Sequence, residues 1–312
     1  MVKPRYKLSL TRVMDSVLKE NGFIKSFDQS EIYYESRGEG SPMIFCYGVG
    51  CLFNHWLPQI RYFSKNHQTI MFDYRGHHKT PTPQNKQSLT IDSLAKDLIA
   101  LCKHHNLTQV DFVGHSFGSQ VLESAYALRP DLFKTMTFVN GLYRNPFEAL
   151  ASREAVVEVI NQAKKLYNQA PGLFSYAWEK GVTNPLLVPL SALTGGFNLS
   201  KTALKDIEIY ARGVSTIDFR VFITFFEEMI EFQGESLLSQ IQCPTLIICG
   251  SKDALTPIDE QERMKQLIPN SELYVVPYGS HCTQLDFPEM VNLKIQNFIG
   301  TKGQLTDTRP NV

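Results

Sequence analysis

Short apolar runs alternate with helical periodicity along most of this chain. Apolar runs of this length are typical of buried strands, and apolar residues three and four positions apart are typical of helices. The alternation predicts an α/β fold, in which helices cover both faces of a mostly parallel, doubly wound sheet. The predicted strands are residues 24–27 and 31–35, which form an opening hairpin, then 43–46, 69–72, 110–113, 135–139, 245–249 and 273–276.

The predicted helices of the core lie between these strands, and the pattern changes in the middle of the chain. There, residues 146–236 are helical by periodicity and contain no strand pattern. We therefore expect an N-terminal extension (1–22), core segments (23–145 and 237–300), a helical insertion (146–236) and a C-terminal tail (301–312). The core helices are predicted at residues 56–65, 91–105, 120–128, 258–267 and 288–298, and the insertion helices at 148–169, 174–180, 204–212 and 219–232.

A serine flanked by glycines marks one junction between a strand and a helix. Residues 114–118 read Gly-His-Ser-Phe-Gly, directly after the predicted strand 110–113. A tight turn of this kind exposes the serine hydroxyl above the sheet, and it needs small neighbours. Backbone N–H groups at the start of the following helix favour a developing oxyanion. Ser116 is therefore a candidate nucleophile, although the motif alone also fits a plain glycine turn.

A serine nucleophile needs a base, and the base needs a third group to orient it. Asp253 and His281 each follow a predicted strand, as Ser116 does. Taken singly, Asp253 fits a helix cap and His281 fits a surface histidine. Because functional groups collect at the carboxyl ends of parallel strands, the three together predict a Ser-His-Asp triad.

The chain resembles the α/β-hydrolase fold family over about residues 24–300, outside the divergent middle. The resemblance implies that Ser116 is the nucleophile, Asp253 the orienting acid and His281 the base. The matching motifs are Gly-His-Ser-Phe-Gly at 114–118, Gly-Ser-Lys-Asp-Ala-Leu-Thr-Pro at 250–257, Gly-Ser-His at 279–281, Asp-Phe-Pro-Glu at 286–289 and Phe-Asp-Tyr-Arg-Gly at 72–76.

The resemblance also implies an oxyanion hole made by the backbone N–H groups of Val49 and Phe117. Val49 lies in the loop at 47–50, in which Tyr47 stands where the family usually has histidine. Main-chain donors serve this purpose whatever their side chains are. The insertion at 146–236 corresponds to the helical cap of the family, above the serine. We assign the substrate pocket to Tyr47, Phe219, Phe222 and Phe226, with packing between cap and core as the alternative for the phenylalanines.

Composition narrows the range of partners. Lysine plus arginine and aspartate plus glutamate each number 31 in 312 residues, so the balanced charge argues against bulk nucleic-acid binding. The 6 cysteines form no C-x-x-C pair, and the chain shows no signal-peptide pattern and no apolar run of membrane-spanning length. We expect a cytoplasmic protein with reduced cysteines, no metal and no organic cofactor.

The N-terminal extension has helical spacing of apolar residues and several basic side chains. This pattern favours a helix that packs on the body of the protein or on a second subunit of a homodimer. A peripheral contact with an anionic membrane is the less favoured alternative.

The expected activity is hydrolysis of a small or medium apolar carboxylic ester through an acyl-enzyme. Thioester hydrolysis, carbon–carbon hydrolysis, perhydrolysis and acyl transfer use the same triad and stay open. A ligand-binding protein without catalysis is the alternative from a different class. Serine rather than aspartate in the elbow disfavours dehalogenase and epoxide-hydrolase chemistry.

Overall fold

Eight strands form one sheet in this computed structural model, which describes residues 18–148, 153–182 and 204–303. The strand order is β1-β2-β4-β3-β5-β6-β7-β8. β2 pairs antiparallel with β1 and β4, and all the other pairs are parallel, so the predicted doubly wound sheet is confirmed. The strands are β1 Leu18–Lys25, β2 Glu31–Arg37, β3 Ser41–Cys46, β4 His67–Phe72, β5 Val110–His115, β6 Phe133–Val139, β7 Thr245–Gly250 and β8 Ser271–Val276.

Helices follow the strands in the predicted alternation. α1 and α11 pack against each other, and α2 packs against α3, whose residues also contact β3 and β5. None of the helices in the described ranges is long and apolar enough to cross a membrane. The helices are α1 Leu57–Phe63, α2 Ile91–His104, α3 Phe117–Leu128, α4 Arg153–Gln169, α5 Pro171–Val182, α6 Leu204–Ser215, α7 Phe219–Glu231, α8 Glu235–Leu238, α9 Ile258–Leu267, α10 Thr283–Asp286 and α11 Pro288–Gly303.

The two ends of the core differ from the predicted boundaries. Residues 18–22 belong to β1, which pairs with β2, so this stretch of the predicted extension is strand. At the other end α11 continues to Gly303, so the predicted tail at 301–312 starts inside a helix. Residues 1–17 and 304–312, and with them most of the amphipathic segment, lie outside the described residues.

The Asp-Tyr-Arg-Gly turn after β4 is held by a buried ion pair. The side chain of Arg75 is fully buried, and its guanidinium lies 2.6 Å from Asp28 and 2.7 Å from Asp97. Asp28 belongs to the turn between β1 and β2, and Asp97 belongs to α2. A buried charge needs partners of this kind, because an unpaired one costs several kcal/mol. Arg75 thereby ties the turn that carries Asp73 and Tyr74 to the β1–β2 turn and to α2.

Candidate active site

Ser116 occupies the turn between β5 and α3 in a conformation that side chains rarely adopt. Its backbone has φ 53° and ψ −123°, and its side chain is buried. The turn brings main chains into close contact, since a Cβ on Gly118 would lie 2.4 Å from the carbonyl oxygen of Cys46. A Cβ on Gly114 would lie 2.9 Å from the carbonyl oxygen of Gly118. The glycines around Ser116 are therefore required by space, as the motif predicts.

The three residues of the predicted triad lie in one hydrogen-bonded chain. The Nε2 atom of His281 is 2.9 Å from Ser116 Oγ, and its Nδ1 atom is 2.9 Å from Asp253 Oδ2. All three side chains are buried. This geometry allows the imidazole to accept the hydroxyl proton while the carboxylate holds the opposite edge of the ring.

Asp253 is held in its charged form by several donors. Burial by itself would raise the pKa of this carboxyl, but the charge and hydrogen bond of His281 and the hydrogen bonds from Thr256 bring the pKa down to about 2. The backbone N–H groups of Leu255 and Thr256 donate to Oδ1 at 2.8 and 3.0 Å, and the Thr256 hydroxyl donates to Oδ2. Asp253 is thus ionised at neutral pH and fixed in place for His281.

Asn140 is a member of this cluster that the sequence analysis missed. It directly follows β6, has φ 49°, and donates from Nδ2 to Asp253 Oδ2 at 2.5 Å and to the Ser280 carbonyl at 3.2 Å. Asparagine tolerates this left-handed backbone better than most residues do. The available signal was its place at the carboxyl end of a predicted strand, which Ser116, Asp253 and His281 share.

The loop of the expected oxyanion hole rests on two tyrosines. The hydroxyl of Tyr47 donates to Asp73 Oδ1 at 3.3 Å and accepts from the Tyr74 N–H at 2.9 Å, and the Tyr74 hydroxyl donates to the Tyr47 carbonyl at 2.8 Å. Burial raises the pKa of Asp73 to about 7, although hydrogen bonds from the Lys79 N–H and Tyr47 oppose the rise. The Tyr47 side chain is therefore turned into the body of the protein, where it supports the loop.

A cavity of about 230 Å³ opens beside Ser116 and His281. Val49 lines it, and Phe117 begins the adjacent helix, where an N–H has no partner within the helix. The insertion contributes side chains to the same cavity. The other residues that line the cavity are Gly48, Cys51, His55, His115, Leu142, Pro146, Phe147, Tyr210, Phe226, Met229, Leu255 and Cys282.

Of the four expected pocket residues, only Phe226 lines this cavity among the residues that the structure describes. The prediction for Tyr47 is wrong, because its side chain does not line the cavity and its hydroxyl is hydrogen-bonded to Asp73 and Tyr74. The prediction for Phe219 is also wrong, because its ring packs between helices of the insertion. Its ring centroid lies 4.6 Å from that of Phe174 and 5.2 Å from that of Trp178. Phe222 packs on Trp178 as well, with ring centroids 5.4 Å apart. Sequence periodicity identified the apolar helix but not which of its aromatic rings reach the cavity.

The cavity is apolar and carries little charge. None of the described residues that line it is a lysine or an arginine. Burial, followed by the nearby His281, lowers the pKa of His55 to about 4 and that of His115 well below its usual value. Both rings are therefore neutral at physiological pH, and the cavity suits an uncharged group.

Sequence comparison agrees with this architecture. The family model for the α/β hydrolase fold matches residues 41–288. The chain is 27% identical over 277 residues to an (E)-2-((N-methylformamido)methylene)succinate hydrolase of Acinetobacter baylyi, covering 86% of this chain and 94% of that protein. It is 24% identical over 266 residues to a putative carbamate hydrolase, RutD, of Stutzerimonas stutzeri, covering 84% of this chain and 94% of that protein.

Solved structures share the fold. A thermophilic esterase from Thermogutta terrifontis superposes with a TM-score of 0.74 at 21% identity, covering 91% of this chain and 99% of that chain. An enol-lactonase from Burkholderia xenovorans superposes with a TM-score of 0.72 at 17% identity, covering 89% of this chain and 100% of that chain. With the family model spanning most of its length and hydrolases among its relatives, this chain belongs to the α/β hydrolase fold family.

Proposed function

We propose that the protein is a serine hydrolase that cleaves a small or medium, uncharged apolar carboxylic ester. The observation that carries the proposal is the chain of hydrogen bonds from Ser116 through His281 to Asp253, at the wall of an apolar cavity. An adjacent base at hydrogen-bond distance, itself oriented by a carboxylate, is what a serine hydroxyl needs to become a nucleophile.

In the proposed reaction, His281 Nε2 takes the proton of Ser116 Oγ as the oxygen attacks the ester carbonyl. Asp253 accepts the Nδ1–H hydrogen bond and stabilises the imidazolium that forms. The backbone N–H groups of Val49 and Phe117 hold the carbonyl oxygen as it becomes an oxyanion. The imidazolium then gives its proton to the leaving alcohol. Water, deprotonated by His281, opens the acyl-enzyme and releases the acid.

The preference for an uncharged acyl group follows from the lining of the cavity. An ionised carboxylate moved into an apolar cavity without a partner loses several kcal/mol of hydration. The described lining offers no lysine or arginine to compensate for that loss. The relative from Acinetobacter baylyi is named for a succinate, a dicarboxylate, and we propose that this chain does not take such a substrate.

A second candidate is cleavage of a carbamate bond, which the name of the Stutzerimonas stutzeri relative, a putative carbamate hydrolase, favours. The same triad would serve, with His281 protonating a leaving nitrogen instead of an oxygen. Hydrolysis of an ester and of a carbamate with matched apolar groups distinguishes the two candidates by their kcat/KM values.

The test is release of nitrophenol from nitrophenyl esters of increasing acyl length. Ser116→Ala should lower kcat by about a thousandfold or more, because no nucleophile remains. Ser119→Ala is the matched control, since its buried Oγ has no hydrogen-bond partner among the described residues and lies outside the cavity lining. Activity of Ser116→Ala above a tenth of the unmutated level would overturn the proposal.

A further inference from the structure

Three side chains that bind soft metal ions converge on the wall of the cavity. They are Cys51, His55 and His115, and the donor atoms, one from each, lie within 4.8 Å of one another. The residues are 3%, 1% and 2% exposed. Cys51 follows β3, His55 lies four positions later in a short 3-10 turn, and His115 ends β5. No metal site was expected from the sequence, because the sheet, not a local motif, brings His115 to Cys51 and His55.

The hydrogen bond of His115 fixes which of its nitrogen atoms is free to accept. Its Nε2 lies 2.8 Å from the backbone carbonyl oxygen of His281, and a carbonyl oxygen only accepts. Nε2 therefore carries the proton and Nδ1 presents a lone pair. Metal-binding histidines commonly hold their second ring nitrogen in this way, by donating to a carbonyl or carboxylate.

No group in the described part of the chain donates a hydrogen bond to that lone pair. Nδ1 of His115 is buried and has no hydrogen-bond partner among the described residues. It points to the same side as the thiol, since a Cβ placed on Gly48 would lie 3.2 Å from Nδ1 and 3.3 Å from Cys51 Sγ. A buried acceptor left without a partner costs about 1–3 kcal/mol, so this position favours an electron-pair acceptor from outside the chain.

We propose that Cys51, His55 and His115 form a binding site for a thiophilic divalent cation, with Zn²⁺ as the representative ion. One thiolate and two imidazoles are ligands that Zn²⁺ takes readily, whereas Mg²⁺ and Ca²⁺ prefer oxygen. Zn²⁺ binds sulfur at about 2.3 Å and nitrogen at about 2.0–2.1 Å, so the donors must draw together by roughly 1 Å.

Binding releases the proton of the Cys51 thiol to solvent, as thiolate coordination requires. A water molecule would complete the tetrahedral coordination that Zn²⁺ prefers. An ion at this position occupies the space beside Ser116 in which the proposed acyl group would sit. Bound Zn²⁺ therefore excludes substrate, a consequence that rests on the proposed function, whereas the binding itself does not.

Cobalt(II) is a direct probe, because a tetrahedral cobalt–thiolate centre has charge-transfer and visible absorption bands. Titration of the full-length, chelator-treated protein should saturate at one equivalent, and added Zn²⁺ should bleach the bands. Cys51→Ser should lose the charge-transfer band and bind Zn²⁺ at least tenfold more weakly. Cys243→Ser, which changes a buried cysteine outside the cavity, is the matched control and should bind as the unmutated protein does.

His55→Gln is a second variant, in case Cys51→Ser does not fold, and should weaken binding by at least tenfold. Absence of stoichiometric binding to the unmutated protein, or equal binding by a folded Cys51→Ser, would overturn the site. Inhibition of ester hydrolysis by Zn²⁺ at the same concentration supports the exclusion of substrate, and binding without inhibition overturns it. Because the spectra need no turnover, a failure of the proposed ester hydrolysis is distinguished from a failure of the cation site.

Discussion

Asn140 donates a hydrogen bond from its side-chain amide to Asp253 Oδ2 at 2.5 Å, and so links the carboxyl ends of β6 and β7. The same amide reaches the Ser280 carbonyl, next to His281. Asn140 therefore fixes the carboxylate relative to the loop that carries the proposed base. Its role is positioning, since it acts on the proposed nucleophile only through Asp253 and His281.

Removal of the Asn140 side chain should weaken hydrolysis without unfolding the protein. Asn140→Gly accommodates the φ of 49° and deletes a hydrogen bond to a charged group, which is typically worth about 1.5–3 kcal/mol. We expect kcat to fall by about tenfold with little change in KM. Asn106→Gly is the control, because Asn106 has a similar φ of 54° in an exposed turn. A kcat for Asn140→Gly within twofold of the unmutated enzyme would count against the positioning role.

Asp253 should contribute to stability in a defined pH window. Its folded-state pKa of about 2 lies below the ordinary value of 3.8, so its contribution is present above about pH 4 and is lost as the pH falls toward 2. The contribution is about 2 kcal/mol. Urea unfolding at pH 5 and at pH 2.5 measures it, and Asp253→Asn should show a correspondingly smaller loss. The control is Asp259→Asn, which changes an exposed aspartate on α9 and should retain the full loss.

Asp73 should make the free energy of unfolding decrease as the pH rises, which is opposite to the effect of Asp253. Burial raises its pKa from 3.8 to about 7, so its protonated form is favoured in the folded state. That stability is fully present below about pH 4 and is lost as the pH rises through 7, by roughly 2–4 kcal/mol. Asp73→Asn carries no charge, and its unfolding free energy should fall less between pH 5 and pH 8. Parallel pH profiles for the two proteins would contradict the raised pKa.

Replacing aromatic residues of α7 should change either the preferred acyl length or the stability, depending on which ring is removed. Phe226→Ala enlarges the cavity and should shift the preferred acyl length, by roughly 1–3 kcal/mol of transition-state binding. Phe219→Ala removes a buried ring from the cluster with Phe174 and Trp178. It should cost about 3 kcal/mol of stability and leave the chain-length profile unchanged. Identical chain-length profiles for Phe226→Ala and the unmutated enzyme would refute the role of Phe226.

Sequence patterns were sufficient for the sheet, most of its helices and the three residues at the strand ends. Apolar runs locate the strands, and functional groups collect at the carboxyl ends of parallel strands. Ser116, Asp253 and His281 each follow such a run, so they could be found from the sequence. Side-chain direction inside the insertion depends on how α4, α5 and α7 pack together, which explains the errors at Phe219 and Phe222. Tyr47 was wrongly assigned to the substrate pocket because its hydrogen-bond partner, Asp73, follows a different strand and is distant in sequence.

In the proposed reaction Ser116 forms a covalent intermediate, and labelling by a small serine-directed phosphonate is the sharpest test of that role. We expect one phosphonate per chain, located by peptide mass spectrometry on Ser116 within residues 114–118, and no labelling of Ser116→Ala. Ser119→Ala should label at the rate of the unmutated protein. A label on any other residue, or an unlabelled protein that still hydrolyses esters, would show that Ser116 is not the nucleophile.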